Sequence, residues 1–311
     1  MEKLLNPLPE LSWPAQLNEH IKAYPLTAAG LFIAALCITL LLAQSLWLVL
    51  SGQSSAYVNW ALLGGLLGFA GTTLGALPAL FLRSISQKTE DAILGFAAGM
   101  MLAACAFSLF LPGIAAGEVI TGHKGSGVAL VVLGMGLGIF LMLGLDKFTP
   151  HEHPKTGPCG PGHEQCKQVW LFVFAIALHN LPEGMAIGVS LSNGDLSVGL
   201  PLTSAIAIQD IPEGLAVALA IIAAGYRAGT AVGIAILSGL LEPIGALIGA
   251  TLSSGMVTAY PIGLGLAGGA MLFVVSHEVI PETHRNGHQT TATLGLMVGF
   301  ALMMTLDTAL G

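Results

Sequence analysis

The chain predicts an all-α polytopic membrane bundle. Its apolar runs, its sparse charge and the placement of its cations each lead there. Apolar runs lie at 27–50, 57–82, 91–112, 126–146, 168–191, 199–224, 229–252, 258–280 and 289–310. Each approaches or exceeds the roughly 20 residues that an α-helix needs to cross hydrocarbon. Charged residues fill 9% of the 311 positions and hydrophobic ones 54%, against about 25% charged in soluble domains. With a cytoplasmic N-terminus, nine spans leave Lys3, Lys22, Arg83, Lys88, Lys147, Lys155, Lys167, Arg227 and Arg285 inside and Lys124 alone outside. That asymmetry orients membrane proteins, and it puts the C-terminus outside. Removing one span would scramble the split.

The elements follow in order. Residues 1–26 form a polar, partly amphipathic lead with Lys3, Trp13 and Lys22, an interfacial segment rather than a domain. The run 27–50 is too long for the apolar region of a signal peptide, although Ser54-Ser55-Ala56 resembles a cleavage site. The longest loop, 147–167, is cytoplasmic in this topology and carries His151, Glu152, His153, Cys159, His163, Glu164 and Cys166. It reads either as a solvated linker or as a weak metal catch at the inner mouth, since imidazole and thiolate suit zinc. The spacing of Cys159 and Cys166 is not that of a structural zinc site. Cys37 and Cys105 lie in apolar runs, so no disulfide framework is implied. A net charge of −7 argues against nucleic acid as a partner. No phosphate-cradling GxxxxGK[ST] loop points to ATP.

Chemistry concentrates between Ile176 and Ala216, in His179-Asn180-Leu181-Pro182-Glu183-Gly184 and, 30 residues later, Gln209-Asp210-Ile211-Pro212-Glu213-Gly214. Polar side chains inside apolar spans are expensive and mark function by default. At about 100° per residue, Glu183 falls between His179 and Asn180 on its helix, and Glu213 between Gln209 and Asp210. Each helix therefore offers two neighbouring ligands and a carboxylate that reaches both. Pro182 and Pro212 each remove a backbone hydrogen bond and free a carbonyl, which is tolerated at membrane depth beside protein or a hydrated cavity. The repeat fits transporters built from duplicated halves with a midplane site.

Further candidates lie downstream. Glu242-Pro243 interrupts the seventh span as the earlier prolines do theirs, and no Lys or Arg lies inside any apolar run to pair with the acid. His277 and Glu278 near the inner end of the eighth span read as pathway residues, and Asp307 near the outer end of the ninth as an entrance carboxylate or a helix-end residue. Met100 and Met101 read as packing side chains, with a thioether ligand as the sharper alternative. Glu183, Asp210, Glu213 and Glu242 sum to four negative charges, which two divalent cations balance. Imidazole, amide and carboxylate ligands suit Zn(II), with Fe(II), Mn(II) and Cd(II) compatible. The 41 glycines predict closely packed helices, some able to slide.

Over roughly 57–311 the sequence resembles the ZIP (Zrt/Irt-like) family of divalent metal transporters, in its prokaryotic GufA-type branch. The resemblance rests on HNLPEG at 179–184, QDIPEG at 209–214, Glu242-Pro243 and SHEVIPETHR at 276–285. It implies an eight-helix transport domain over 57–311, multi-pass in a bacterial inner membrane. It also implies zinc carried into the cytoplasm as cargo with no organic cofactor, a homodimer, and an elevator-like motion of the metal-carrying helices. By the match, His179, Glu183, Gln209 and Glu213 resemble a primary metal site, with Met101 at the position of an extra ligand. Asn180, Asp210 and Glu242 resemble a second site sharing Glu183 and Glu213. Residues 1–56, with their additional helix, depart from the family pattern. The inner loop also lacks a long His-rich run, so the resemblance gives it no sensing role. Two rivals to a carrier stand: a metal-selective channel, and an intramembrane metallohydrolase with zinc at His179. The latter lacks the HExxH pair and would consume Glu183 as a ligand.

Overall fold

The computed structural model describes residues 13–52, 56–82, 84–149, 151–153, 157–159, 168–194, 196–253 and 258–310. Each of the nine apolar runs is helical. A short helix α1 (Trp13–Ala23) precedes α2 (Pro25–Leu50), whose proline sits at the first helical position, where no amide donor is required. α3 (Ala56–Ala76) ends in a 3₁₀ turn, Leu77–Leu80. Ser86 then caps α4 (Gln87–Ala104), its hydroxyl accepting from the Thr89 amide at 3.1 Å. A π-turn, Cys105–Phe110, joins α4 to α5 (Leu111–Thr121), and α6 (Lys124–Phe148) follows. The long pair α7 (Gln168–Ser192) and α8 (Leu196–Ala223) carries the two motifs. Then come α9 (Ala228–Gly239), α10 (Leu241–Ser253), α11 (Ala259–Val274), a second π-turn at Val275–Val279, α12 (Ile280–Thr283) and α13 (Gln289–Leu310). Among the described residues eight segments are long and apolar enough to cross a membrane, and α7, at 25 residues, carries the remaining run. The protein is an all-α polytopic membrane protein.

In the loop, His151–His153 (β1) pairs antiparallel with Gly157–Cys159 (β2), His151 opposite Cys159 and His153 opposite Gly157. His163, Glu164 and Cys166 lie outside the described residues.

The prolines act differently from one another. α7 and α8 run unbroken through Pro182 and Pro212. The seventh span does break, but at Leu240, ahead of Glu242. Pro243 then falls in the first turn of α10, where helical amides have no intrahelical acceptor and a proline loses nothing. Glu242 is therefore presented by a helix start rather than by a kink.

Glycine decides the helix pairing. Side chains built on Gly95 and Gly99 of α4 would collide with the backbone of Ala292 and Leu296 on α13, and Gly295 and Gly299 face Ala92 and Phe96 in return. The same reciprocal contact joins α6 to α11 (Gly134, Gly138, Gly265, Gly269) and α7 to α10 (Gly184, Gly188, Gly245, Gly249). Gly71 and Gly75 bring α3 onto the backbone of α8. Four-residue spacing keeps both glycines on one helix face, so the backbones approach without intervening side chains. The glycine contacts tie α3, α7, α8 and α10 into one set; outside it they join α4 to α13, and α5 and α6 to α11, two groups that the first π-turn links into a second set. Where a described glycine crosses from one set to the other, at Gly263, it faces a side chain, Val189, at 3.2 Å.

Candidate metal centre

The centre lies inside the first set. His179, Asn180 and Glu183 on α7, Gln209, Asp210 and Glu213 on α8, and Glu242 on α10 are all buried, none more than 7% exposed. Both motif helices turn the same face inward because each places its ligands at i, i+1 and i+4. Carboxylate oxygens of Glu183, Asp210 and Glu213 lie within 4.8 Å of one another. Gln209 Nε2 donates to Glu183 Oε1 at 2.7 Å, binding the two motifs together. Glu242 stands beside Asp210: a Cβ on Gly68 of α3 would reach to 3.2 Å from Glu242 Cδ and 3.3 Å from Asp210 Oδ2. Among the described residues, Glu183 Oε2, Asp210 Oδ2 and Glu242 Oε2 are buried without a hydrogen-bond partner. Buried carboxylates are expected to be paired or to coordinate a cation, so the donor set fits divalent metal. With Gly184 packed on the Glu242 backbone, α10 comes close to α7, and the carboxylates of three helices gather together.

His179 also reaches past the carboxylates. Its Nε2 stands 3.2 Å from Glu278 Oε2 in the second π-turn, so the imidazole reaches from the first helix set into the second. His277 next to it stacks on Phe273, with ring centroids 4.9 Å apart, and points Nε2 at Asp146 Oδ1 at 3.7 Å. The π-turns explain both placements. Pro112 and Pro281 each follow the last π-turn residue by two positions and lack the amide that would bond to Ser108 and His277 respectively. The added residue re-aims the side chains of the turn. In the first π-turn Ser108 donates to Asp307 Oδ1 at 2.6 Å. Met101 is buried in the core cluster that also holds Ala186 of α7 and Ile206 of α8. His151 and His153 lie on β1.

The structure thus gathers Glu183, Gln209, Asp210, Glu213 and Glu242, with His179 at their edge and Glu278 facing it. Sequence reading missed Thr72, which donates to Glu242 Oε1 at 2.6 Å, as well as Gly68, Ser108 and Asp146. Nothing local marks Thr72, because a helical threonine ordinarily bonds its own backbone.

Buried acids, amides and an imidazole, converging from interrupted and proline-bearing helices within a polytopic bundle, make a donor set suited to divalent cations inside a membrane protein. Comparison with known proteins narrows the class. The sequence model of the ZIP zinc transporter family matches residues 149–307. The chain is 62% identical over 300 residues to the zinc transporter ZIPB of Bordetella bronchiseptica, covering 96% of each chain. It is 43% identical to the zinc transporter GufA of Myxococcus xanthus, over 80% of this chain and 98% of that one. It is 36% identical to the zinc transporter ZupT of Corynebacterium glutamicum, over 77% of this chain and 95% of that one. The protein belongs to the ZIP zinc transporter family, and within it to the GufA-type prokaryotic branch. This is a family of transporters and not of enzymes, which removes the metallohydrolase reading.

Proposed function

We propose that the protein carries Zn²⁺ across the membrane into the cytoplasm through a two-position metal centre, by movement of one helix set against the other. The single observation that carries the reading is the convergence of buried Glu183, Asp210 and Glu213 within 4.8 Å, with Glu242 beside them. No Lys or Arg lies in any apolar run to balance them. His179, Gln209, Glu183 and Glu213 hold the first ion, with Met101 beside it. Asn180, Asp210 and Glu242 hold the second and share the two glutamates. Borderline metals such as Cd²⁺, Fe²⁺ and Mn²⁺ are compatible with the same ligands.

A carrier is favoured over a channel by the glycine contacts. Backbone-to-backbone approaches occur within each helix set, while Gly263 meets Val189 across the boundary through a side chain. Two internally tight bodies with a side-chain seam can move as units. The Lys and Arg asymmetry supports a cytoplasmic N-terminus, and the loop 147–167 then lies at the inner mouth. The family resemblance supports a homodimer. Uptake of zinc into vesicles reconstituted with purified protein tests the function: wild type accumulates metal with saturation, and Glu213→Ala accumulates none. Wild-type uptake by the folded Glu213→Ala protein refutes the assignment of the centre.

A further inference from the structure

We infer that Thr72 on α3 is a positioning residue for the second metal position: its hydroxyl fixes the rotamer of Glu242 so that Oε2 faces Asp210. The inference rests on the two-position reading above.

Three observations carry it. First, Thr72 turns away from its own backbone, where several helical threonines of this protein bond. Thr39, Thr251, Thr305 and Thr308 each donate to the carbonyl four residues back, at 2.7–2.8 Å. Thr72 instead donates across the bundle to Glu242 Oε1 at 2.6 Å, in a buried contact. Second, its orientation is locked from behind. A side chain built on Gly239, the last residue of α9, would come within 3.0 Å of Thr72 Cβ and 3.1 Å of Cγ2. The methyl therefore packs against the end of α9, and the hydroxyl is aimed at the start of α10. The break between these helices sets both partners at once. Third, the far oxygen of Glu242 is left for another role. Among the described residues Oε2 has no hydrogen-bond partner, nor has Asp210 Oδ2. Gly68, one turn from Thr72 on the same face, leaves room beside both, since a Cβ there would strike Glu242 Oε2. A carboxylate with one oxygen tethered and the other turned toward a second carboxylate is pre-organised as a monodentate ligand. Immobilising the ligand in advance removes ordering entropy that the cation would otherwise have to offset.

The first position contains neither Glu242 nor Asp210, so loss of the hydroxyl separates the two positions. Thr72→Val deletes the hydroxyl at nearly constant shape, Thr72→Ser keeps it without the methyl, and Thr72→Ala removes both atoms without adding any. Purified proteins are dialysed against a series of buffered free Zn²⁺ concentrations and their zinc content is read by elemental analysis, beside thermal unfolding. The wild type is expected to hold two ions per chain. Thr72→Val and Thr72→Ala should bind the second ion about tenfold or more weakly, the scale of one hydrogen bond to a charged group. The first ion should be held within about twofold, and Thr72→Ser should bind like wild type. Wild-type binding of both ions by Thr72→Val and Thr72→Ala overturns the inference. So does equal loss in Thr72→Ser, which would assign the effect to packing. A wild type that holds a single ion defeats the two-position reading itself, and that result is read before any variant is made.

Discussion

Replacing Asp210 by lysine separates the roles of the two proposed metal positions. Asp210 is 2% exposed, and its carboxylate lies within 4.8 Å of those of Glu183 and Glu213. With Glu242 these acids sum to four negative charges. The substitution changes that sum to minus two, which one Zn²⁺ balances instead of two. At 4.8 Å and an effective dielectric of about 20, each new ammonium–carboxylate pair is worth about 3.5 kcal/mol. Two such pairs amount to about 7 kcal/mol, the scale of the several kcal/mol needed to desolvate an ammonium. The variant should therefore fold, with the lysine standing in for the second cation. Asp210→Lys is expected to bind one zinc fewer per chain by elemental analysis and to keep substantial zinc uptake in reconstituted vesicles. In that outcome the second ion tunes the centre and the first is cargo. A folded Asp210→Lys that binds one ion and transports nothing refutes the division of roles. One that still binds two ions refutes the placement of the second position.

Other expectations follow from the same geometry. His179→Ala should weaken zinc at the first position by tenfold or more while leaving the fold intact, read by zinc titration and thermal unfolding. Val189→Cys combined with Gly263→Cys should cross-link the two helix sets under oxidation and stop uptake without loss of bound zinc, and reductant should restore it. Uptake that persists through complete cross-linking argues against relative movement. Gly99→Leu drives a side chain into the Leu296 backbone and should destabilise by roughly 1–3 kcal/mol. Gly136→Leu, with nothing within 4 Å of its Cβ, should change thermal stability little by the same measurement.

Much of the protein can be read from residues alone because of the solvent it lives in. Hydrocarbon cannot satisfy a backbone amide, so each apolar run of sufficient length has to be a helix. The same medium makes every embedded acid conspicuous, which is why His179, Glu183, Asp210, Glu213 and Glu242 stand out without an alignment. Helical periodicity put each motif's ligands on one face, and Glu183, Asp210 and Glu213 do converge. The glycine pairing was also written in the chain, as four-residue spacings at 71/75, 95/99, 134/138, 184/188, 245/249, 265/269 and 295/299. What spacing cannot specify is the partner, because any glycine face fits any other until the whole bundle packs. Tertiary structure alone decided that α7 lies on α10, that His179 faces Glu278 and that Ser108 faces Asp307. It also decided that the seventh span breaks before Glu242, since a proline reads alike whether it kinks a helix or begins one. Thr72 is the clearest case. Its contact with Glu242 spans 170 residues of sequence, and its direction follows from a methyl packed on Gly239, a steric fact that exists only once three helices have met.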